Sequence, residues 1–223
     1  MDFATLKARH RRERDGWPAA HSLRVHRSLS WLKAAESRRS DADGRFVFLW
    51  IAFNAAYAVQ FEEGGRLSEQ TAFRTFLRRL LERDDKGRIA ELVWQEFAAS
   101  IRGLLDNPFV FQEFWDFQNG RITEEEWKRR FSITKRAARR ALSMQQTGAV
   151  LGIVLARIYT LRNQLVHGGA TWGGELNRGQ MRDCLRFMER FVPIVIDVLM
   201  DAPDAAWGPV AFPVIDQENA GTP

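Results

Sequence analysis

Residues 45–61, RFVFLWIAFNAAYAVQF, carry apolar side chains on every side of any helix they form. A helix that is apolar all round has to be buried all round. The rest of the chain must therefore wrap it, and the sequence offers helices for that purpose. No segment alternates apolar and polar residues between turn signals, so no strand is predicted and the fold class is all-α. With 223 residues, of which 45% are hydrophobic, the chain is long enough to bury about 70% of its unfolded surface without covalent staples. One large domain with appendages is expected.

The punctuation along the chain is consistent with this reading. Residues 21–37 form an amphipathic helix carrying Leu23, Leu29, Trp31 and Leu32 among basic residues. Asp41-Ala42-Asp43-Gly44 is a turn with capping carboxylates before the apolar helix, and Gly64-Gly65 ends it. Residues 68–83 and 88–105 read as two more amphipathic helices, the second stopping ahead of Asn107-Pro108. Residues 109–118 are short and aromatic, and Asn119-Gly120 breaks them from a basic helix that Thr123 and Glu126 open as a capping box and that runs to about residue 140. Residues 145–167 and 177–200 are long helices on either side of the glycine-rich HGGATWGGEL. Beyond Ala202 come Pro203, Pro209, Pro213 and Pro223 with no helical period, which predicts an irregular, disorder-prone tail. The expected organisation is a basic extension at 1–20, a helical domain at 21–200 and an acidic, proline-rich tail at 201–223.

Charge is unevenly placed. The chain carries +5 overall, yet residues 1–40 hold ten basic and four acidic side chains, and residues 123–140 hold seven and three. The last 23 residues hold four acids and no Lys or Arg. A basic front and an acidic tail suit a polyanion, nucleic acid first among them; a solubilising surface with an arginine bias would read the same way. A single cysteine, Cys184, excludes a disulfide framework and a Cys-based zinc site. With no His, Cys or carboxylate cluster at ligand spacing, neither metal nor cofactor is expected. The N-terminus has no apolar stretch behind its basic residues, and the apolar runs are too short and interrupted to span a bilayer, so a soluble, cytoplasmic protein is expected.

The helix over 145–167 carries two stripes. Val150, Val154, Ile158, Leu161 and Leu165 share one face and predict a core contact. Ala149, Gly152, Ala156, Thr160, Asn163 and His167 follow on a nearly opposite face. Small residues let helix axes approach closely, so a second partner is expected there, from the same chain or from a second copy in a two-fold dimer. The helix ends in Arg162-Asn163-Gln164-Leu165-Val166-His167, and Gly168-Gly169 provide the left-handed cap. Imidazole titrates near neutral pH, and the C-terminal end of a helix favours its cation. Asn163 stands one turn before His167 and is placed to orient the ring. An arginine beside such a histidine suits phosphodiester chemistry, the one neutralising charge on the phosphate and the other transferring a proton. A capping histidine and a surface arginine would give the same letters.

An all-helical domain whose late helix ends in R-N-x-x-x-H resembles the HEPN superfamily (higher eukaryotes and prokaryotes nucleotide-binding domains), whose signature is R-x4-6-H with a polar residue after the Arg. Residues 23–37 and 46–57 are also similar to its standalone bacterial members, so the likeness spans roughly residues 20–200. The resemblance implies an antiparallel helical bundle with additional helices. It also implies a metal-independent endoribonuclease in which two paired domains build one composite site from Arg162, Asn163 and His167, in a toxin or antiphage-defence setting. RNA, a second copy through helix 145–167 and an antitoxin protein are the implied partners. One subfamily carries a tyrosine two residues after the His, where a nucleotidyltransferase antitoxin modifies it; this chain has Gly169 there, which puts that scheme in doubt and leaves a different antitoxin open. Family members that bind RNA, nucleotide or protein without catalysis supply the alternative function.

Other positions extend the candidate site. Asn54 is the one strongly polar residue between Phe46 and Val59, placed to steady the motif helix or its Arg, or to serve as a plain core amide. Arg178 and Arg182, with Arg186 and Arg190, recur every four residues and fit either a phosphate backbone or a solvated face paired with Asp183 and Glu189. Arg24, with His26 and Arg27, is a similar case. Trp172 in the glycine-rich loop fits base stacking or an anchor against the core.

Overall fold

The computed structural model of the protein describes residues 1–58, 66–175 and 178–212, with residues 66–70 described by their backbone alone. Among the described residues there are α-helices and no strand. They are α1 (Phe3–Glu13), α2 (Ala19–Glu36), α3 (Ala42–Tyr57), α4 (Arg66–Glu82), α5 (Arg88–Glu91), α6 (Ala98–Asp106), α7 (Gln112–Gln118), α8 (Glu124–Ser143), α9 (Thr147–Val166) and α10 (Arg178–Asp201).

The apolar segment is the axis of the fold, as its composition demands. Asp41 caps α3 by accepting from the Gly44 N–H at 2.9 Å, and every residue of the helix is buried or half-buried. Phe53 sits at its centre with no exposed surface. Its ring lies 5.4 Å from Phe191 of α10 and 6.2 Å from Phe73 and Phe76 of α4. The expected end of this helix, at residues 59–61 and Gly64-Gly65, lies outside the described residues.

α2 runs back along α3, since Arg24 near its start reaches the carbonyl of Ala56 near the end of α3 at 2.8 Å. α1 and α2 also pair antiparallel, the Phe3 N–H donating to Glu36 at 2.8 Å. α10, however, runs in the same direction as α3: Arg178 meets Asp43 at one end and Phe191 meets Phe53 further along. The bundle is therefore not antiparallel throughout. The second half of α10, residues 191–200, is buried without interruption. It tolerates Asp197 there because the carboxylate meets Arg9 of α1 at 2.7 Å and Arg88 of α5; a charge enters a core only when paired.

Three expectations about organisation change. The helix expected over 88–105 is divided into α5, a π-turn at Leu92–Glu96 and α6. At the division the Phe97 N–H bonds back five residues to Leu92 at 3.1 Å. The expected basic extension is α1, whose Leu6 belongs to the same core as the rest. The tail is irregular as expected, but through residue 212 it is docked. Trp207 is 6% exposed and packs in that core, and Arg27 bonds the Ala211 carbonyl at 2.8 Å. Residues 213–223 lie outside the described residues.

His10 and His21 are buried where α1, α2 and Trp17 meet, with ring centroids 5.7 and 5.3 Å from the indole. Neither ring makes a well-formed hydrogen bond among the described residues, although the backbone of Ser22 lies near His10 and that of Leu199 near His21. Burial, reinforced by Arg24, pushes His21 down to about 4, and burial with nearby Lys7 pushes His10 down as well. The unfolded chain then takes up protons more readily than the folded one. Stability is complete above the unfolded value of 6.5 and is lost as pH falls from there toward 4. His21 alone accounts for up to about 3 kcal/mol of that loss. Urea unfolding of wild type and His21→Leu at pH 7 and pH 4.5 checks this: the variant should lose less on acidification, and equal losses would refute it.

Candidate functional site

α9 meets its own chain with one face and leaves another open. Val150, Val154 and Ile158 have no exposed surface, Leu161 is 2% exposed, and Leu165 packs against the same core. On the other flank Ala149, Ala156 and Tyr159 are exposed. A side chain grown at Gly152 would meet nothing within 4 Å. Thr160 alone of the small-residue stripe turns inward, its hydroxyl bonding the Ala156 carbonyl at 3.2 Å. By length and composition alone α9 is long and apolar enough to cross a membrane, and 44% of the qualifying window is buried in the protein.

The end of α9 forms as the glycines predict. His167 is the cap residue, its N–H bonded to the Asn163 carbonyl at 3.0 Å, and Gly168 follows at φ +71°, where a side chain would be strained. The His167 side chain is exposed. Arg162 and Asn163 are half-buried and bonded to each other, Nη1 to Oδ1 at 3.0 Å. This differs from the expectation that the Asn163 amide holds the imidazole. Its oxygen accepts instead from a cation, which makes the stronger hydrogen bond. The Arg162 guanidinium also lies 5.9 Å from the ring of Tyr159, one turn back. A positioned guanidinium and an exposed imidazole thus share one helix end, the first suited to a phosphate and the second to moving a proton.

Two neighbours of this end were not legible as site residues. Phe109 follows Pro108 in a short 3₁₀ turn, and its carbonyl accepts from Gln164 of α9 at 2.7 Å and from the Trp115 indole at 2.8 Å. Phe109 is 42% exposed, and its ring packs edge-on against Phe114 at 5.4 Å. Arg157, one and a half turns before Arg162, is the opposite case. It is 3% exposed, with its guanidinium 4.3 Å from the Phe111 ring. Burial pushes it down to about 10, opposed by Glu113, so it stays a cation at neutral pH inside the protein. Spacing alone could not tell these two arginines of α9 apart.

The other expected site residues are scattered. Trp172 is 76% exposed, and its indole N–H reaches Asp41, the cap of α3, at 3.2 Å. Arg178 grips Asp43 through both carboxylate oxygens, at 2.6 and 3.1 Å, and the Gly173 N–H donates to the same group at 2.8 Å. Burial alone would raise Asp43, but these donors outweigh it and hold the carboxyl below its ordinary range. The loop after His167 is thereby tied to the start of α3. Arg190 pairs with Glu96 at 2.8 Å, whereas Arg182 and Arg186 are exposed. Glu189, an expected partner of this row, pairs with Arg45 instead. Arg24 is 1% exposed and holds the Ala56 and Gly208 carbonyls at 2.8 Å each, so it is an internal clamp out of reach of a surface polyanion. Asn54 is half-buried, and its Oδ1 accepts nothing among the described residues, so it does not hold Arg162.

Among the described residues no group of three or more His, Cys, Asp or Glu stands close enough to hold a metal ion. Compared with protein-family models, curated proteins and solved structures, the chain matches none.

Proposed function

We propose that this protein is a HEPN-type endoribonuclease that cleaves single-stranded or loop RNA by attack of the 2′-hydroxyl on the adjacent phosphodiester. The observation that carries the reading is the presence, at one helix end, of an Arg162 positioned by Asn163 and an exposed His167. Cleavage of this kind needs one group to take the 2′-hydroxyl proton and another to protonate the leaving 5′-oxygen. Each protomer offers one such histidine. Two copies meeting along the open flank of α9 would bring two His167 side chains to one phosphate, with Arg162 against the growing charge. The product ends would be a 2′,3′-cyclic phosphate and a 5′-hydroxyl. The test is incubation of RNA in EDTA with wild type and with His167→Ala; RNA left whole by the wild type, or cleaved equally by both, would end this reading.

The proposed seam has its own test. Because Gly152 faces open space within one protomer, Gly152→Leu should leave the monomer folded. Two such leucines at a close helix contact should cost about 1–3 kcal/mol per site through overpacking. Sedimentation should then show the equilibrium shifted toward monomer, with activity falling in parallel. A Gly152→Leu protein that remains a fully active dimer would place the seam elsewhere.

A further inference from the structure

A second basic feature lies apart from the α9 terminus. α6 and α8 enclose a cleft of about 380 Å³ whose walls carry Arg102 and Asp106 from one helix and Lys135 and Arg139 from the other. Lys135 and Asp106 neutralise each other at 2.8 Å. Arg102 and Arg139 are exposed, and neither makes an ion pair or side-chain hydrogen bond with the described residues. Two guanidiniums therefore line one cleft, one from each helix, with no donor spent on a described residue. The floor between them is apolar, formed in part by Leu105 and Ala138, at 3% and 2% exposure. A planar guanidinium fork matches phosphate oxygens, and an apolar floor matches the faces of a sugar and base.

We propose that this cleft binds one nucleotide of an RNA strand, with its phosphate between Arg102 and Arg139. The inference rests on RNA being the substrate. Continuity with the α9 terminus supports a strand as the occupant. Phe109 lies three residues beyond Asp106, and its carbonyl accepts from Gln164 in the last turn before His167. A strand seated in the cleft can run past the exposed Phe109 ring to the histidine.

The test uses the full-length protein and a short fluorescent 2′-O-methyl RNA strand, which binds but lacks the attacking hydroxyl. Anisotropy is followed as salt is raised, for wild type, Arg102→Glu/Arg139→Glu, and a control with the same charge change on exposed residues elsewhere, Arg74→Glu/Arg129→Glu. Circular dichroism verifies that each folds, and Arg102→Ala/Arg139→Ala substitutes if the reversals do not. The cleft variant should bind on the order of tenfold more weakly at physiological salt, while the control binds as wild type. Its salt slope should be shallower by about 0.7, since one fewer phosphate of a single strand is neutralised. Equal weakening in both variants, no weakening in the cleft variant, or binding of adenosine monophosphate but not of the strand would each overturn the proposal. Cleavage of unmodified RNA, measured in parallel, separates the two readings. Cleft-dependent binding without cleavage leaves the cleft standing and sinks the nuclease; cleavage with cleft-independent binding does the reverse.

Discussion

In EDTA, the His167→Ala protein should leave RNA whole where the wild type cleaves it, with a loss of about 10²–10⁴-fold in rate. Arg162→Ala should lose about 10²–10³-fold, by analogy with removal of one donor from an oxyanion site. Folding should survive both changes. His167 is exposed and follows the last helical residue, and among the described residues Arg162 hydrogen-bonds Asn163 alone. Asn163→Ala should act through Arg162, whose guanidinium it holds, and so be milder and leave the pH profile unchanged. In a mixed dimer with one mutant His167, a shared site loses most of its activity, whereas independent sites lose half. Undiminished cleavage by His167→Ala would refute the mechanism outright.

Phe53→Ala should cost about 3–5 kcal/mol of stability, as measured by denaturant unfolding. The ring has no exposed surface and is the meeting point of Trp50, Tyr57, Phe73, Phe76 and Phe191. Five large aromatic neighbours from three helices cannot collapse into the space of one, so the cavity persists and the loss lies near the top of the range. Phe53→Leu, which keeps most of the volume, should cost much less. A cost below about 1 kcal/mol for the alanine variant would mean that α3 is not the axis of the core.

The helices were legible because local chemistry sets them. Thr123 caps α8 by accepting from the Glu126 N–H at 3.2 Å, as the letters suggest, and Gly168 closes α9 at a left-handed φ. The π-turn before Phe97 was not legible, since nothing in the apolar spacing of residues 88–105 distinguishes a bond to the fifth residue back from one to the fourth. Burial of the second half of α10 was also missed. Its Asp197 reads as a surface residue until Arg9 and Arg88, 188 and 109 positions away, are seen to meet it.

The candidate site divides along the same line. The sequence by itself determined where α9 stops, that a histidine caps it, and that large side chains line one of its faces. These follow from backbone hydrogen bonding and a period of about 3.6 residues, which act within a few positions of the chain. Only the tertiary structure decided which arginines are available to a ligand. Arg24 is consumed by carbonyls and Arg178 by Asp43, Arg157 is buried against the Phe111 ring, and Arg102 and Arg139 are left lining one cleft. A guanidinium's long arm takes whatever partner the packing brings within reach, and those partners come from distant parts of the chain.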